Sequence, residues 1–92
     1  MQFEWDEQKS QANIRRRGLD FADAAQVFDG PMIVNLDTRQ DYEEDRWIGI
    51  GMTHGRVVVI VYAERDDTIR IISMRKALKH EHNRYYEEVF GN

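Results

Sequence analysis

The apolar run VVVIVYA at residues 57–63 is the feature that most constrains the fold. It is the longest unbroken apolar stretch in this 92-residue chain. Side chains of a strand alternate between two faces, so a run that is apolar at every position predicts the interior strand of a covered sheet. Its seven residues are far fewer than the roughly 20 that a membrane-spanning helix needs. We therefore expect a soluble protein built around a sheet.

Predicted helices and strands surround this central strand. The N-terminal segment QFEW is predicted to be extended, since Phe3 and Trp5 alternate with polar residues. Asp6 is typical of a helix N-cap and Gly18 of the left-handed residue that follows a helix, which predicts a first helix between them. A second helix follows, because one buried stripe is formed by Phe21, Ala24, Ala25 and Phe28.

The rest of the chain is predicted to form a meander and a closing helix. Extended segments are predicted at residues 32–36, 47–53, 56–64 and 68–74, with a hairpin turn at His54 and Gly55. A final helix is predicted at residues 76–90. The expected fold is therefore α+β: a short N-terminal strand, two helices, an antiparallel three- to four-stranded meander and a C-terminal helix, in one domain over residues 1–92.

Charge is distributed unevenly along the chain. The net charge is −4, but residues 1–45 carry 5 basic and 11 acidic side chains, whereas residues 46–92 carry 8 and 6. Segment 70–84 holds five cations and a single acid, Glu81. The acidic total argues against nonspecific nucleic-acid binding, whereas the local basic excess indicates one anion-binding place. The absence of cysteine excludes disulfides and thiol catalysis and favours the cytoplasm.

The end of the last predicted strand concentrates these cations. With strict alternation, Arg70, Ile72 and Met74 share one face and Arg75 lies on the other. Arg75 and Lys76 then reach the junction with the closing helix, where unsatisfied N–H groups also attract anions. We expect phosphate to bind at this junction. The alternative is that these cations only cover a solvated face.

Acid–base candidates follow on the closing helix. Glu81 borders the predicted apolar stripe and can act as a general base, or it can simply pair with Arg84 or Lys76. The three histidines are scattered, and neither a metal-binding motif nor a glycine-rich phosphate loop is present. The sequence therefore predicts neither a metal nor a cofactor.

Three segments resemble the BrnT toxin family. FEWDEQKSQANIRRRGLDFADA resembles the family's opening, DYEEDRWIGIG its Tyr-Glu-x-x-Arg segment, and RIISMRKALKHEHNRYY its closing segment. The order and spacing of the three segments extend the resemblance over nearly the whole chain. Two features differ from the family. Arg17 stands where members often carry histidine, and this chain has a net charge of −4, whereas members tend to be basic.

The resemblance implies a RelE-like fold and an RNA-cleaving toxin of a type II toxin–antitoxin pair that inhibits translation. It also implies a ribbon-helix-helix (BrnA-like) antitoxin in a hetero-oligomer, which alone contacts DNA. Metal-free RNA cleavage needs a base, positive charge on the phosphorane and an acid. The predicted catalytic residues are Arg70, Arg75, Glu81 as base and Tyr85 as acid, with His80 as the alternative acid; the predicted RNA-binding residues are Arg46, Lys76, Lys79 and His80.

Two alternatives remain open from the sequence. A non-catalytic RNA-binding or regulatory module can use the same basic junction only to hold phosphate. A structural subunit whose apolar patch needs a partner is the third reading.

Overall fold

Five strands form one sheet in the computed structural model, which describes residues 1–91. The elements are β1 (Gln2–Trp5), α1 (Glu7–Arg17), a 3₁₀ turn (Phe21–Asp23), α2 (Ala24–Phe28), β2 (Ile33–Leu36), β3 (Trp47–Thr53), β4 (Arg56–Arg65), β5 (Thr68–Lys76) and α3 (Lys79–Phe90). The α+β class is confirmed. Asn92, the last residue of the predicted domain, lies outside the described residues.

The predicted sheet was wrong in strand number and order. The four strands β2 to β5 form an antiparallel meander, but β1 adds a fifth strand that pairs in parallel with β5, and the order is β1-β5-β4-β3-β2. Gln2 pairs with Thr68 and Trp5 with Ile71. Alternation within four residues shows an extended segment but carries no information on a partner more than 60 residues away, so the parallel pairing was missed.

The apolar run lies in β4, at the centre of the sheet, as predicted for an interior strand. Val58, Ile60 and Tyr62 pack beneath the first two helices, on what we call the α1 face. Val57 and Val59 pack beneath Tyr85 of α3, on the opposite α3 face. Helices therefore cover both faces, which is why every side chain from residue 57 to 63 is buried.

A β-bulge in β5 changes which side chains share a face. Val61 pairs with Ser73, whereas Tyr62 pairs with Ile71, so Ile72 is the extra residue. Ile71 and Met74 therefore both join the core of the α1 face. Arg70 and Arg75, predicted on opposite faces, both lie on the α3 face. Strict alternation was wrong here because a bulge inserts one residue and reverses the period beyond it.

The helix ends follow local sequence chemistry. The Asp6 side chain accepts hydrogen bonds from the backbone N–H groups of Gln8 and Lys9, and Gly18 ends α1 with φ 70°, as predicted. The predicted second helix is split into the 3₁₀ turn and a five-residue helix, α2. None of the helices in residues 1–91 has the length and apolarity needed to cross a membrane.

Candidate active site

The register of the strands arranges the α3 face in rows. Val59 lies opposite Arg75, Val61 opposite Ser73, and Ala63 opposite Arg70. Trp47 pairs with Tyr62, so the residue before it, Arg46, lies level with Ala63. Arg70 and Arg75 are therefore two rows apart, about 13 Å along the strand. The middle row lies between them, and we call this part of the α3 face, from Arg70 to Arg75, the groove.

Arg75 lies at one end of this surface and is held by a carboxylate from α3. Its two terminal nitrogens donate hydrogen bonds to the two oxygens of Glu81, with N···O distances of 2.7 and 2.9 Å. The Glu81 side chain is only 16% exposed, so water screens this bidentate pair poorly. The arrangement fixes the plane of the guanidinium, and we call it the Arg75 clamp.

The local sequence explains why Glu81 reaches Arg75. Leu78 is the N-cap of α3, so Glu81 occupies the third position of the helix, from which a carboxylate bends back to the N-cap. Glu81 accepts a hydrogen bond of 2.8 Å from the Leu78 N–H. Neither predicted partner, Arg84 or Lys76, pairs with Glu81; Arg84 pairs with Glu88 instead. The same carboxylate thus caps α3 and orients Arg75.

The clamp changes the pKa of both partners. The hydrogen bonds from Arg75 lower the pKa of Glu81 from 4.5 to about 2, and the Leu78 N–H and the charge on His80 act in the same direction. The bond to Glu81 raises the pKa of Arg75. A carboxylate with so low a pKa binds protons weakly near neutral pH, which weighs against Glu81 as the general base.

A second arginine, Arg39, is held in the same manner on the loop between β2 and β3. Its Nε and one terminal nitrogen donate to the two oxygens of Asp37 at 2.8 and 2.7 Å. The Tyr42 hydroxyl donates to Asp37 as well, at 3.1 Å. The Asp37 side chain is fully buried, whereas that of Arg39 is 65% exposed. The remaining N–H groups of Arg39 are therefore oriented and still free to bind an anion.

The charge of one clamped arginine acts on the other. The charge on Arg39 lowers the pKa of Arg75, opposing the larger effect of Glu81. The hydrogen bonds from Arg39 also lower the pKa of Asp37. Sequence analysis missed Arg39; the only local signal is an Asp two residues before an Arg at a strand end.

The structure separates the other predicted cations. Lys76 lies opposite Val58 and therefore on the α1 face, away from Arg75. Arg70 pairs with Glu4 at 3.6 Å. The predicted convergence of Arg75 and Lys76 at the junction was wrong, because the side chains of successive strand residues lie on opposite faces. The bulge brings Arg70 onto the face of Arg75, but two rows away. Only Arg75 remains at the predicted junction with its side chain in the groove.

The remaining predicted site residues occupy different environments. Lys79 and His80 are exposed in the first turn of α3. The guanidinium of Arg46 lies 4.2 Å from the centre of the Tyr42 ring, and its Nε is buried without a hydrogen-bond partner among residues 1–91. The Tyr85 side chain is buried, and its hydroxyl donates to the Pro31 carbonyl at 2.9 Å. Burial raises the pKa of Tyr85.

Ligands for a metal do not come together in the part of the chain that the structure describes. Within residues 1–91, no group of three His, Cys, Asp or Glu side chains is placed to hold an ion. The groove instead offers guanidinium groups with orientations fixed by carboxylates. The remaining N–H groups of Arg39 match the geometry of phosphate oxygens, whereas the terminal nitrogens of Arg75 are engaged with Glu81 and its charge stabilises nearby negative charge. The chemistry available is therefore phosphate binding and charge stabilisation.

The fold and the groove define a small α+β protein equipped to bind phosphate on one sheet face. Residues 5–81 match the family described as "Ribonuclease toxin, BrnT, of type II toxin-antitoxin system". The chain therefore belongs to the BrnT family of ribonuclease toxins, as its sequence indicated, and an antitoxin partner comes with that membership. No curated protein matches the chain.

Proposed function

We propose that this protein is a metal-independent endoribonuclease that cleaves RNA in the groove of the α3 face and thereby inhibits translation in the cytoplasm. The observation that carries the proposal is the Arg75 clamp, together with Arg39, which Asp37 holds in the same manner. Oriented positive charge where a phosphorane forms is usually the largest single contribution to catalysis of this type.

The proposed reaction uses the RNA itself as nucleophile. The 2′-oxygen loses its proton to a base and forms a bond to phosphorus, the bond from phosphorus to the 5′-oxygen breaks, and the departing 5′-oxygen accepts a proton. The products are a 2′,3′-cyclic phosphate and a 5′-hydroxyl. Arg75 and Arg39 stabilise the extra negative charge on the phosphorane oxygens. No redox step or metal is needed.

The geometry favours different roles for the predicted acid and base. Glu81 accepts three hydrogen bonds and its pKa is about 2, so we propose that it positions Arg75. The Tyr85 hydroxyl is engaged with Pro31, so we propose His80 as the group that transfers protons. His80 is exposed, and its charge acts on Glu81, which supports a position near the groove.

A cleavage assay tests the proposal. Purified protein is incubated with single-stranded RNA with and without a chelator, and the 2′,3′-cyclic phosphate is detected on the product. We expect cleavage to persist with chelator and kcat to fall about 100-fold in Arg75→Lys, because lysine keeps the charge but loses the bidentate pair with Glu81 that orients it. Arg84→Lys, at an exposed helical pair, is the matched control and should keep full activity.

Three outcomes would contradict this mechanism. Full activity in Arg75→Lys and His80→Ala, both folded, would remove the proposed groups from the reaction. RNA binding without any product would favour the non-catalytic module that the sequence also allows. Loss of cleavage with chelator, restored by a divalent cation, would overturn the metal-independent chemistry.

We also propose that the antitoxin is of the ribbon-helix-helix type and covers exposed apolar surface on α3. Leu78, Tyr86 and Phe90 are 55, 40 and 61% exposed and lie on one flank of the helix. Apolar patches of this kind mark protein interaction sites. Co-expression with the protein encoded beside this chain should give a stable complex, and Phe90→Ser should weaken that complex without reducing RNA cleavage.

A further inference from the structure

A second basic region lies on the opposite side of the sheet, between α1 and β5. A cleft of about 250 Å³ is lined there by three cations, Lys9, Arg16 and Arg17, and by Asn13 and Ser73 among others. We call it the α1 cleft. No acidic side chain of residues 1–91 lines it. Arg39, Arg75 and Glu81 do not line it either, whereas Ser73 lies between the cleft and the proposed catalytic groove.

The three cations of the α1 cleft have no ion-pair partner in residues 1–91, whereas Arg39, Arg70 and Arg75 are each paired with a carboxylate. This is unexpected in the half of the chain that holds 11 acidic residues against 5 basic ones. Unpaired cations that share a cleft repel each other, so an anion between them lowers the free energy of the arrangement.

Helix electrostatics explain only part of this cluster. Basic residues in the last turn, Arg16 and Arg17 among them, stabilise the negative end of a helix dipole. Lys9 is different, because it lies in the first turn of α1, just after the Asp6 cap, where a positive charge is unfavourable. A bound anion stabilises all three cations, whereas the helix dipole stabilises only Arg16 and Arg17.

The cleft also continues toward the proposed catalytic groove. β1 pairs with residues 68–71 of β5 only, so the edge of β5 beyond them has no strand partner among residues 1–91. Ser73, which lines the cleft, lies on this open edge and is exposed. Arg75 follows two residues later. A chain molecule bound at Arg75 can therefore pass over the open edge of β5 and reach α1.

We infer that the α1 cleft binds the phosphodiester backbone of the RNA strand beside the cleaved bond. This inference rests on the proposed function, because it takes RNA as the substrate. Lys9, Arg16 and Arg17 supply the sequence-independent electrostatic part of binding, in which each neutralised phosphate releases counterions. Specific chemistry then takes place at the other face of the sheet.

The test measures binding without cleavage. Fluorescence anisotropy follows a labelled single-stranded RNA whose 2′-hydroxyls are methylated, since this RNA cannot be cut by attack of the 2′-oxygen. Arg16→Gln is compared with Arg15→Gln, which removes the same charge one residue earlier, from a side chain that does not line the cleft. Circular dichroism checks that each variant is folded.

The expected result is a change in the salt dependence of the dissociation constant. Each phosphate contact contributes about 0.7 to the slope of log affinity against log salt for a single strand. Arg16→Gln should lower the slope by about 0.7 and the triple variant Lys9→Gln/Arg16→Gln/Arg17→Gln by about 2. Arg15→Gln should leave the slope unchanged.

The outcomes separate this inference from the proposed function. Equal effects of Arg15→Gln and Arg16→Gln, or an unchanged slope in the folded triple variant, would overturn the α1 cleft as a binding site even if unmethylated RNA is cleaved normally. A slope reduced by about 2 in the triple variant would support the cleft, even if the wild-type protein cuts no RNA. A methylated RNA and a DNA of equal sequence should give similar slopes of log affinity against log salt, because the cleft contacts the phosphodiester backbone.

Discussion

The two basic regions of this protein are built in opposite ways. In the Arg75 clamp and its Arg39 counterpart, each guanidinium is fixed by a carboxylate through two hydrogen bonds. In the α1 cleft the three cations have no such partner in the described chain. A paired arginine gives up part of its long-range attraction and gains a fixed orientation, whereas an unpaired cation keeps its full field.

This difference supports the separate roles that we propose for the two regions. Catalysis needs charge placed accurately where it develops in the transition state, which favours the clamped arginines. Capture of an RNA strand needs attraction that does not depend on sequence, which favours the unpaired cations. A protein with a net charge of −4 cannot rely on its overall field for capture, so a local basic cleft is more important here than in a basic protein.

The largest expected effect is on the cleavage rate. Arg75→Ala should lower kcat by about 10² to 10³-fold, because it removes oriented charge from the transition state. Arg16→Ala should raise KM and leave kcat nearly unchanged, since it affects ground-state and transition-state binding alike. Steady-state kinetics on one RNA measure both variants. A large loss of kcat in Arg16→Ala would contradict the separate roles proposed for the two basic regions.

The next largest effect is on the free energy of unfolding and its dependence on pH. Because the pKa of Glu81 falls from 4.5 to about 2 on folding, its stabilising contribution is present above about pH 5 and is lost as the pH falls through 2. Glu81→Gln should lower the free energy of unfolding by about 2 kcal/mol near neutral pH, and the difference should shrink toward pH 2. Urea unfolding at several pH values measures it.

A control for this experiment is available on the same helix. Glu88→Gln breaks an exposed pair with Arg84, and exposed pairs contribute well under 1 kcal/mol. Its stability should follow that of the wild type at every pH. A pH-independent difference between Glu81→Gln and wild type would show that the Glu81 carboxylate does not act through its lowered pKa.

A smaller effect is expected of salt concentration on KM. If three phosphates are neutralised in the α1 cleft, raising monovalent salt about fourfold should raise KM roughly 10- to 20-fold. The same change should leave kcat within about twofold, because the clamped pairs are in contact and partly buried and are screened much less. Kinetics at two salt concentrations test this. A fall in kcat that parallels the rise in KM would place the salt-sensitive charges in the groove.

The smallest effect is that of a substitution in the α1 cleft on the stability of the protein. Arg16→Ala should change the free energy of unfolding by no more than about 0.5 kcal/mol, because the residue is exposed and makes no ion pair in residues 1–91. Thermal unfolding measures it. A stable cleft variant with weak RNA binding would sharpen the contrast with Glu81→Gln, in which stability and orientation change together.

Local patterns in the sequence predicted the elements well and their arrangement less well. Alternation and capping residues gave α1, the interior strand β4 and the hairpin at His54 and Gly55, whose φ angles of 49° and 75° fit the predicted turn. These features depend on residues close together in the chain. The family was also identified from the order and spacing of its motifs, which can be read from the sequence without knowledge of the fold.

The site was predicted only in part, for a different reason. Arg75 and Glu81 were singled out, and the structure brings them into contact. Arg39 was missed because it lies on the loop after β2, whose folding no local pattern predicted. The bulge at Ile72 moved Arg70 to the face that carries Arg75, and a bulge is set by the packing of β5 against β4 rather than by a residue pattern.

The sequence by itself determined the class of fold, the central strand, the helix ends and the family, since each depends on hydrophobic period, capping chemistry or motif order within short segments. Tertiary structure alone decided that β1 closes the sheet in parallel, that the cations divide between two faces, and that carboxylates fix some arginines while others stay unpaired. The physical reason is that strand register, bulges and ion pairing are cooperative outcomes of packing between distant segments, and no local window of residues contains them.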